Sequence, residues 1–226
     1  MNTTRIITTA QRSIFVLMFL IGGLGFTQAR GNNSAVTEEP EPYLVKDIIT
    51  KGTGNPPRHL TNVNGTLYFY VDDGVHGWEL WKSDGTAEGT ALVKDINPGS
   101  GDSCSGSECE YSELTAVNGT LYFNAEDGVN GIELWKSDGS ADGTVLVKDI
   151  NSGGDGLRYS ADLTDMNGTL YFNADDGVHG EELWKSDGTA DGTVLVKDIS
   201  LGGTSSVFIS NPNSDTNSIS ISTDLV

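Results

Sequence analysis

The side chains of this sequence best suited to chemistry are carboxylates, and they come in sets. Asp72, Asp73, Glu79, Asp84 and Glu88 recur as Glu126, Asp127, Glu133, Asp138 and Asp142, and again as Asp175, Asp176, Glu182, Asp187 and Asp191. Hard oxygen donors at glycine-rich turns are what Ca²⁺ requires. Asp73, Asp84, Asp127, Asp138, Asp176 and Asp187 are therefore the candidate calcium ligands. Their spacing matches neither the D-x-D-x-D-G loop of an EF-hand nor the glycine-rich nonapeptide of calcium β-rolls. Aspartate also favours turns for local reasons, by accepting hydrogen bonds from nearby backbone N–H groups. Turn-forming is thus the reading that competes with calcium binding.

Histidine is the usual acid–base group near neutral pH, yet the three present do not form a catalytic set. His76 and His179 hold equivalent turn positions where the middle copy has Asn130, and His59 has no counterpart. Catalysis needs groups converging on one site, whereas a repeat spreads them evenly. The histidines are read as polar turn residues. No glycine-rich phosphate loop, G-x-S-x-G elbow or H-E-x-x-H motif occurs. Two cysteines and three scattered histidines also lack the spacing of a zinc site. Cys104 and Cys109 bracket Ser-Gly-Ser-Glu, which in an exported chain predicts a local disulfide. Trp81, Trp135 and Trp184 are read as packing residues rather than an exposed sugar-binding set, because burying such a ring removes roughly 150–250 Å² from water. Trp78, whose counterparts are Ile132 and Glu181, is expected to be a half-exposed loop residue.

Composition narrows the partners. Acidic residues outnumber basic ones 32 to 13, a net charge of −19 over 226 residues. So negative a surface argues against nucleic acid, where Lys and Arg supply the affinity, and against anionic lipid. The 36% hydrophobic content suits a modest core, and 29 glycines favour a turn-rich β protein. Residues 1–29 read as a signal peptide: Arg5 and Arg12, then an apolar stretch at 14–26 (IFVLMFLIGGLGF), then Thr27-Gln28-Ala29. That stretch is short of the roughly 20 residues a spanning helix needs; an uncleaved anchor is the alternative. The expectation is a secreted or cell-surface protein with no membrane contact after cleavage, residues 30–42 being a linker.

What must position these side chains is a repeat. Leu44-Val45-Lys46-Asp47-Ile48 recurs at 92–96, 146–150 and 195–199. Between these copies lie LTNVNGTLYFYVDDGVHGWELWKSDGTAEGT (60–90), LTAVNGTLYFNAEDGVNGIELWKSDGSADGT (114–144) and LTDMNGTLYFNADDGVHGEELWKSDGTADGT (163–193). The units span about 43–96, 97–150 and 151–200, with an insertion around the cysteines and a Ser/Asn-rich tail at 201–226. Each unit reads as four strands. Asn64-Gly65, Asn118-Gly119 and Asn167-Gly168 are the pair that a type I′ hairpin demands, which also accounts for their N-G-T glycosylation triplets. On the second strand Leu67, Phe69 and Val71 point one way and Tyr68 and Tyr70 the other, and on the third Leu80 opposes Trp81. Strands apolar on both faces suit blades stacked between blades. The fold expected is an all-β, β-propeller-like array of three four-stranded antiparallel blades, open or incomplete. A β-trefoil, also three units of four strands, is the competitor.

The segments ELWKSDGT at 79–86 and 182–189, and ELWKSDGS at 133–140, resemble the ELWxxDGT repeat of secreted bacterial proteins. The accompanying NGTLYF and LVKDI segments match as well, and the resemblance covers about residues 43 to 200. Only Ser140, in place of Thr, departs from the motif. The resemblance implies a propeller-like array of exported repeats, often within larger surface proteins, with no known catalytic activity and no established ligand. Ser83-Asp84-Gly85-Thr86 is also similar to the Asp-box of sialidase propellers, but Ser and Asp are adjacent and the closing Trp is missing.

The function expected is therefore that of an exported, non-catalytic repeat protein. It presents an acidic β surface for binding or adhesion, toward an extracellular glycan or protein. The alternative is an extracellular hydrolase or lyase acting on polysaccharide, for which no singular acid/base pair is present. Three blades are too few for a ring, which typically takes 4–8. Self-association, or neighbouring repeats of a longer array, is expected to cover the ends.

Overall fold

A computed structural model describes residues 42–49, 55–104, 109–157 and 161–199. The leader, nearly all of the 30–42 linker and the 201–226 tail lie outside the described residues. So does the centre of the cysteine insertion.

Twelve strands form three separate four-stranded sheets. The first blade is β1 (Arg58–Val63), β2 (Thr66–Asp72), β3 (Trp78–Ser83) and β4 (Ala91–Lys94). The second is β5 (Leu114–Val117), β6 (Thr120–Glu126), β7 (Ile132–Ser137) and β8 (Val145–Lys148), and the third is β9 (Thr164–Met166), β10 (Thr169–Asp175), β11 (Glu181–Ser186) and β12 (Val194–Lys197). Each is an antiparallel meander in chain order. Among the described residues there is no α-helix and no closed barrel, so the chain forms blades rather than a trefoil.

Local sequence explains the meander. Asn64 and Gly65 have φ of 52° and 89°, and the pairs Asn118-Gly119 and Asn167-Gly168 repeat this. Positive φ at both central residues is the type I′ geometry whose twist matches two right-twisted strands. Between β3 and β4 the ladder shifts register at Leu80/Trp81, and the equivalent shift recurs in the other two blades.

Packing follows the two-faced strands. Tyr68, Tyr70 and Leu80 join Leu121, Phe123 and Trp135 in one core between blades one and two. Tyr122 and Leu134 join Leu170, Phe172 and Trp184 between blades two and three. The opposite face of blade one, with Phe69, Val71 and Trp81, is packed by Ile48 and Ile49. The first strands line up: Thr61 Oγ1 donates to Leu114 O at 3.1 Å, and Thr115 Oγ1 to Leu163 O at 3.0 Å. The connectors between blades bind both neighbours. Ser103 N donates to Trp78 O and Ser103 O accepts Glu126 N, each at 2.9 Å. Gly156 makes the equivalent pair of bonds, to Ile132 O and from Asp175 N.

One sequence expectation fails here. Trp78 is 4% exposed, in the core between blades one and two. The cysteine insertion, absent from the other repeats, is the reason. Cys104 and Cys109 bond as expected, S–S 2.02 Å, and both are buried in the same core as Trp78. Where the insertion is lacking, Ile132 is half-buried and Glu181 exposed.

Candidate functional site

The turns joining strands two and three of each blade hold the first set of candidate aspartates. Asp73 Oδ1 accepts the backbone N–H groups of Val75 and His76, both at 2.9 Å, and its Oδ2 pairs with His76 Nδ1 at 2.8 Å. Asp176 does the same with Val178 and His179. In the middle blade Asp127 accepts Val129 N and Asn130 N, and Asn130 Nδ2 donates to it at 2.7 Å. This explains the exchange of histidine for asparagine. Imidazole Nδ1–H and amide N–H place one donor at the same point, so the position needs a donor and not a base. Burial pushes the carboxyls of Asp73, Asp127 and Asp176 up, but the N–H bonds outweigh it and hold all three below 3.8. The hydrogen bond to Asp73 raises His76 in return, and Asp176 raises His179.

The turns joining strands three and four hold the second set. Asp84 Oδ1 accepts Thr86 N at 2.9 Å and Thr86 Oγ1 at 2.7 Å. Asp138 does so with Ser140, and Asp187 with Thr189. The single departure in the middle motif, Ser140, keeps the hydroxyl the turn uses. The side-chain bond from that hydroxyl leads in holding these exposed aspartates low. Beneath each turn Ser83, Ser137 and Ser186 bond to Thr90, Thr144 and Thr193 at 2.7–2.8 Å.

The glutamates belong elsewhere. Glu79 and Glu133 are fully buried. Glu79 accepts Ile96 N and Asn97 N, both at 3.1 Å; Glu133 accepts Ile150 N, Asn151 N and Gly156 N at 3.0–3.1 Å. They anchor the end of each LVKDI strand to its own blade. Burial is the largest influence on both and pushes them up to about 7, against the N–H bonds that favour the charged form.

Lysine is what sequence reasoning missed. Lys82 Nζ donates to Gly139 O at 2.7 Å and Lys136 Nζ to Gly188 O at 2.8 Å. Lys94 Nζ donates to Thr144 O, and Lys148 Nζ to Thr193 O, both at 2.8 Å. Each pair stitches a blade to the next across about fifty residues. Lys94 and Lys148 also lie 5.9 and 5.7 Å from the ring centres of Trp135 and Trp184. The signal was available: with only 13 basic residues in the chain, lysine recurs at the same two places in every repeat. His59 was missed too, since its Nε2 donates to Cys109 O at 2.7 Å. The one histidine without a counterpart serves the one insertion without a counterpart.

The three tryptophans of the ELW motif are buried, Trp135 and Trp184 between blades and Trp81 beneath Ile48 and Ile49. Among the described residues no three of His, Cys, Asp or Glu are grouped so as to hold a metal ion. The candidate aspartates are brought not to one point but to two equivalent positions in each blade. What remains outward at the second set of turns is a pair of exposed acids per blade: Asp84 and Glu88, Asp138 and Asp142, Asp187 and Asp191. No helix among the described residues is long and apolar enough to cross a membrane. Fold and turns together define an open, propeller-like array of three blades with an acidic edge. No family model, curated protein or solved structure matches the chain.

Proposed function

We propose that this is an exported, non-catalytic repeat protein, related to the ELWxxDGT proteins, whose acidic edge binds an extracellular glycan or protein. The observation that carries the reading is equivalence. Each candidate aspartate accepts the equivalent backbone N–H groups in all three blades, so none is singled out as an acid, base or nucleophile. A ligand held this way meets several like points on one rigid edge, and weak contacts gain by multiplicity. The exposed pairs from Asp84 to Asp191 would offer those points to cationic or hydroxyl-rich groups.

The test is a glycan-array and metal screen on residues 30–226, followed by Asp84→Asn, Asp138→Asn and Asp187→Asn, singly and together. Graded loss of binding with each added substitution is expected. Hydrolysis or cleavage of a polysaccharide, abolished by one carboxylate substitution alone, would overturn the reading in favour of an enzyme.

A further inference from the structure

The two faces of an inner blade are both covered, but the third blade has one that no described residue covers. Leu80 and Leu134 are 0% exposed, whereas the equivalent Leu183 is 36% exposed. Val93 and Val147 are 5% and 6% exposed against 44% for Val196, and Ile96 and Ile150 are 4% and 8% against 67% for Ile199. Strand register and side-chain parity are the same in all three blades. The difference is that no blade follows the third among the described residues. Lys185 and Lys197 stand where Lys82 and Lys94 stand in blade one, and both are exposed.

The structure also shows what such a face accepts. In both internal junctions it receives the opposite face of the following blade, and its two lysines donate to that blade's SDG-turn and G-T carbonyls. On blade one the corresponding acceptors are Gly85 O and Thr90 O. Thr90 O is already engaged: Lys46 Nζ donates to it at 2.7 Å, as Lys94 does to Thr144. Residues 44–48 therefore occupy the place of the outermost strand of a preceding blade, and their sequence, LVKDI, is that of residues 195–199.

We propose that the outward face of blade three docks on blade one of a second copy of this chain, head to tail, in the register of the internal junctions. The incoming β12 replaces residues 44–48 like for like at Thr90, and Lys185 reaches the second copy's Gly85 carbonyl. The exchange at β12 is locally neutral, so the drive comes from covering the apolar surface around Leu183 and Val196. Residues 44–48 act as a stand-in strand that competes with assembly. Such a contact is heterologous, so it extends into a chain or closes into a ring. The copies share a large negative charge, and screening salt favours the assembly. The inference is independent of what the acidic edge binds.

Sedimentation velocity on residues 30–226 across a wide concentration range tests it. Mass is expected to rise with concentration, more so in added salt, and more steeply for Lys46→Ala or for a variant lacking residues 42–49. Leu183→Glu is expected to stay folded and fail to extend, and Lys185→Glu is the second variant should the first unfold. Leu183→Glu mixed with the parent chain should shorten its assemblies, because it can accept a copy but not be extended. Two results would overturn the proposal. One is a monomer at every concentration for parent and trimmed chain alike, as when the chain's own residues 200–226 cover the face. The other is a two-copy species that excludes Leu183→Glu, which marks a face-to-face contact.

Discussion

Truncating the same leucine in each blade separates what a blade contributes alone from what its neighbour adds. Leu80, Leu134 and Leu183 share a strand position and a lysine partner on the fourth strand, and Leu134 and Leu183 also share an asparagine partner where Leu80 faces Tyr70, so the pair Leu134 and Leu183 differs chiefly in whether a described blade follows. Leu80→Ala and Leu134→Ala remove a side chain that is 0% exposed and leave a cavity between two sheets that cannot collapse freely. Each should cost about 2–5 kcal/mol. Leu183→Ala removes a side chain 36% exposed with no facing blade, so no cavity forms. Only part of the transfer energy is lost, about 1 kcal/mol. The measurement is urea unfolding of dilute protein, followed by fluorescence of the four tryptophans and by circular dichroism. Several probes are needed because stacked repeats can unfold stepwise. If Leu183→Ala costs as much as Leu80→Ala in protein shown to be monomeric, a segment of the same chain covers the face and the open-blade reasoning fails.

Backbone geometry makes a second series. Gly85, Gly139 and Gly188 have φ of +91°, +89° and +87°, so alanine at any of them meets about 1–3 kcal/mol of strain. A Cβ at Gly85 meets nothing within 4 Å, whereas at Gly139 and Gly188 it meets the Tyr68 and Tyr122 hydroxyls of the preceding blade. Gly139→Ala and Gly188→Ala should therefore lower the thermal midpoint further than Gly85→Ala; equal shifts would mean that the tyrosines yield freely. A third expectation concerns pH. Glu79 and Glu133 titrate higher folded, about 7, than their ordinary 4.5, so they hold more protons in the folded state. Their contribution, on the order of 3 kcal/mol each, is full below pH 4.5 and lost as pH rises through about 7. The depressed aspartates act oppositely, losing their contribution only as pH falls below 3.8. Urea midpoints of the parent should fall between pH 5 and 8, and the Glu79→Gln/Glu133→Gln chain should show a flatter slope; an unchanged slope would assign the dependence to net charge instead. Calcium gives a fourth: with the candidate aspartates turned onto their own N–H groups, Ca²⁺ should raise the midpoint no more than Mg²⁺ at matched ionic strength. A markedly larger calcium shift would establish a specific site.

Everything set by neighbours along the chain was legible in the sequence. The Asn-Gly pairs determined three hairpins because positive φ at both positions is a local requirement. Alternation along Leu67–Val71 showed two apolar faces, and hence blades between blades. Cys104 and Cys109 were close enough in sequence to pair whatever surrounded them. The aspartate turns were legible as one of two readings, turn or calcium, since both use the same residues at the same spacing. What only the tertiary structure decided spans about fifty residues at a time. A strand's period shows that a face is apolar, not which element covers it. Sequence alone therefore could not sort buried Glu79 from exposed Asp84, assign Lys82 to a carbonyl on the next blade, or place Trp78 in a core that the cysteine insertion completes. Nor could it show that Leu183, at the strand position of Leu80 and Leu134, stands uncovered among the described residues. Burial belongs to the stacking of sheets, and identical repeats acquire different environments only from their place in the stack.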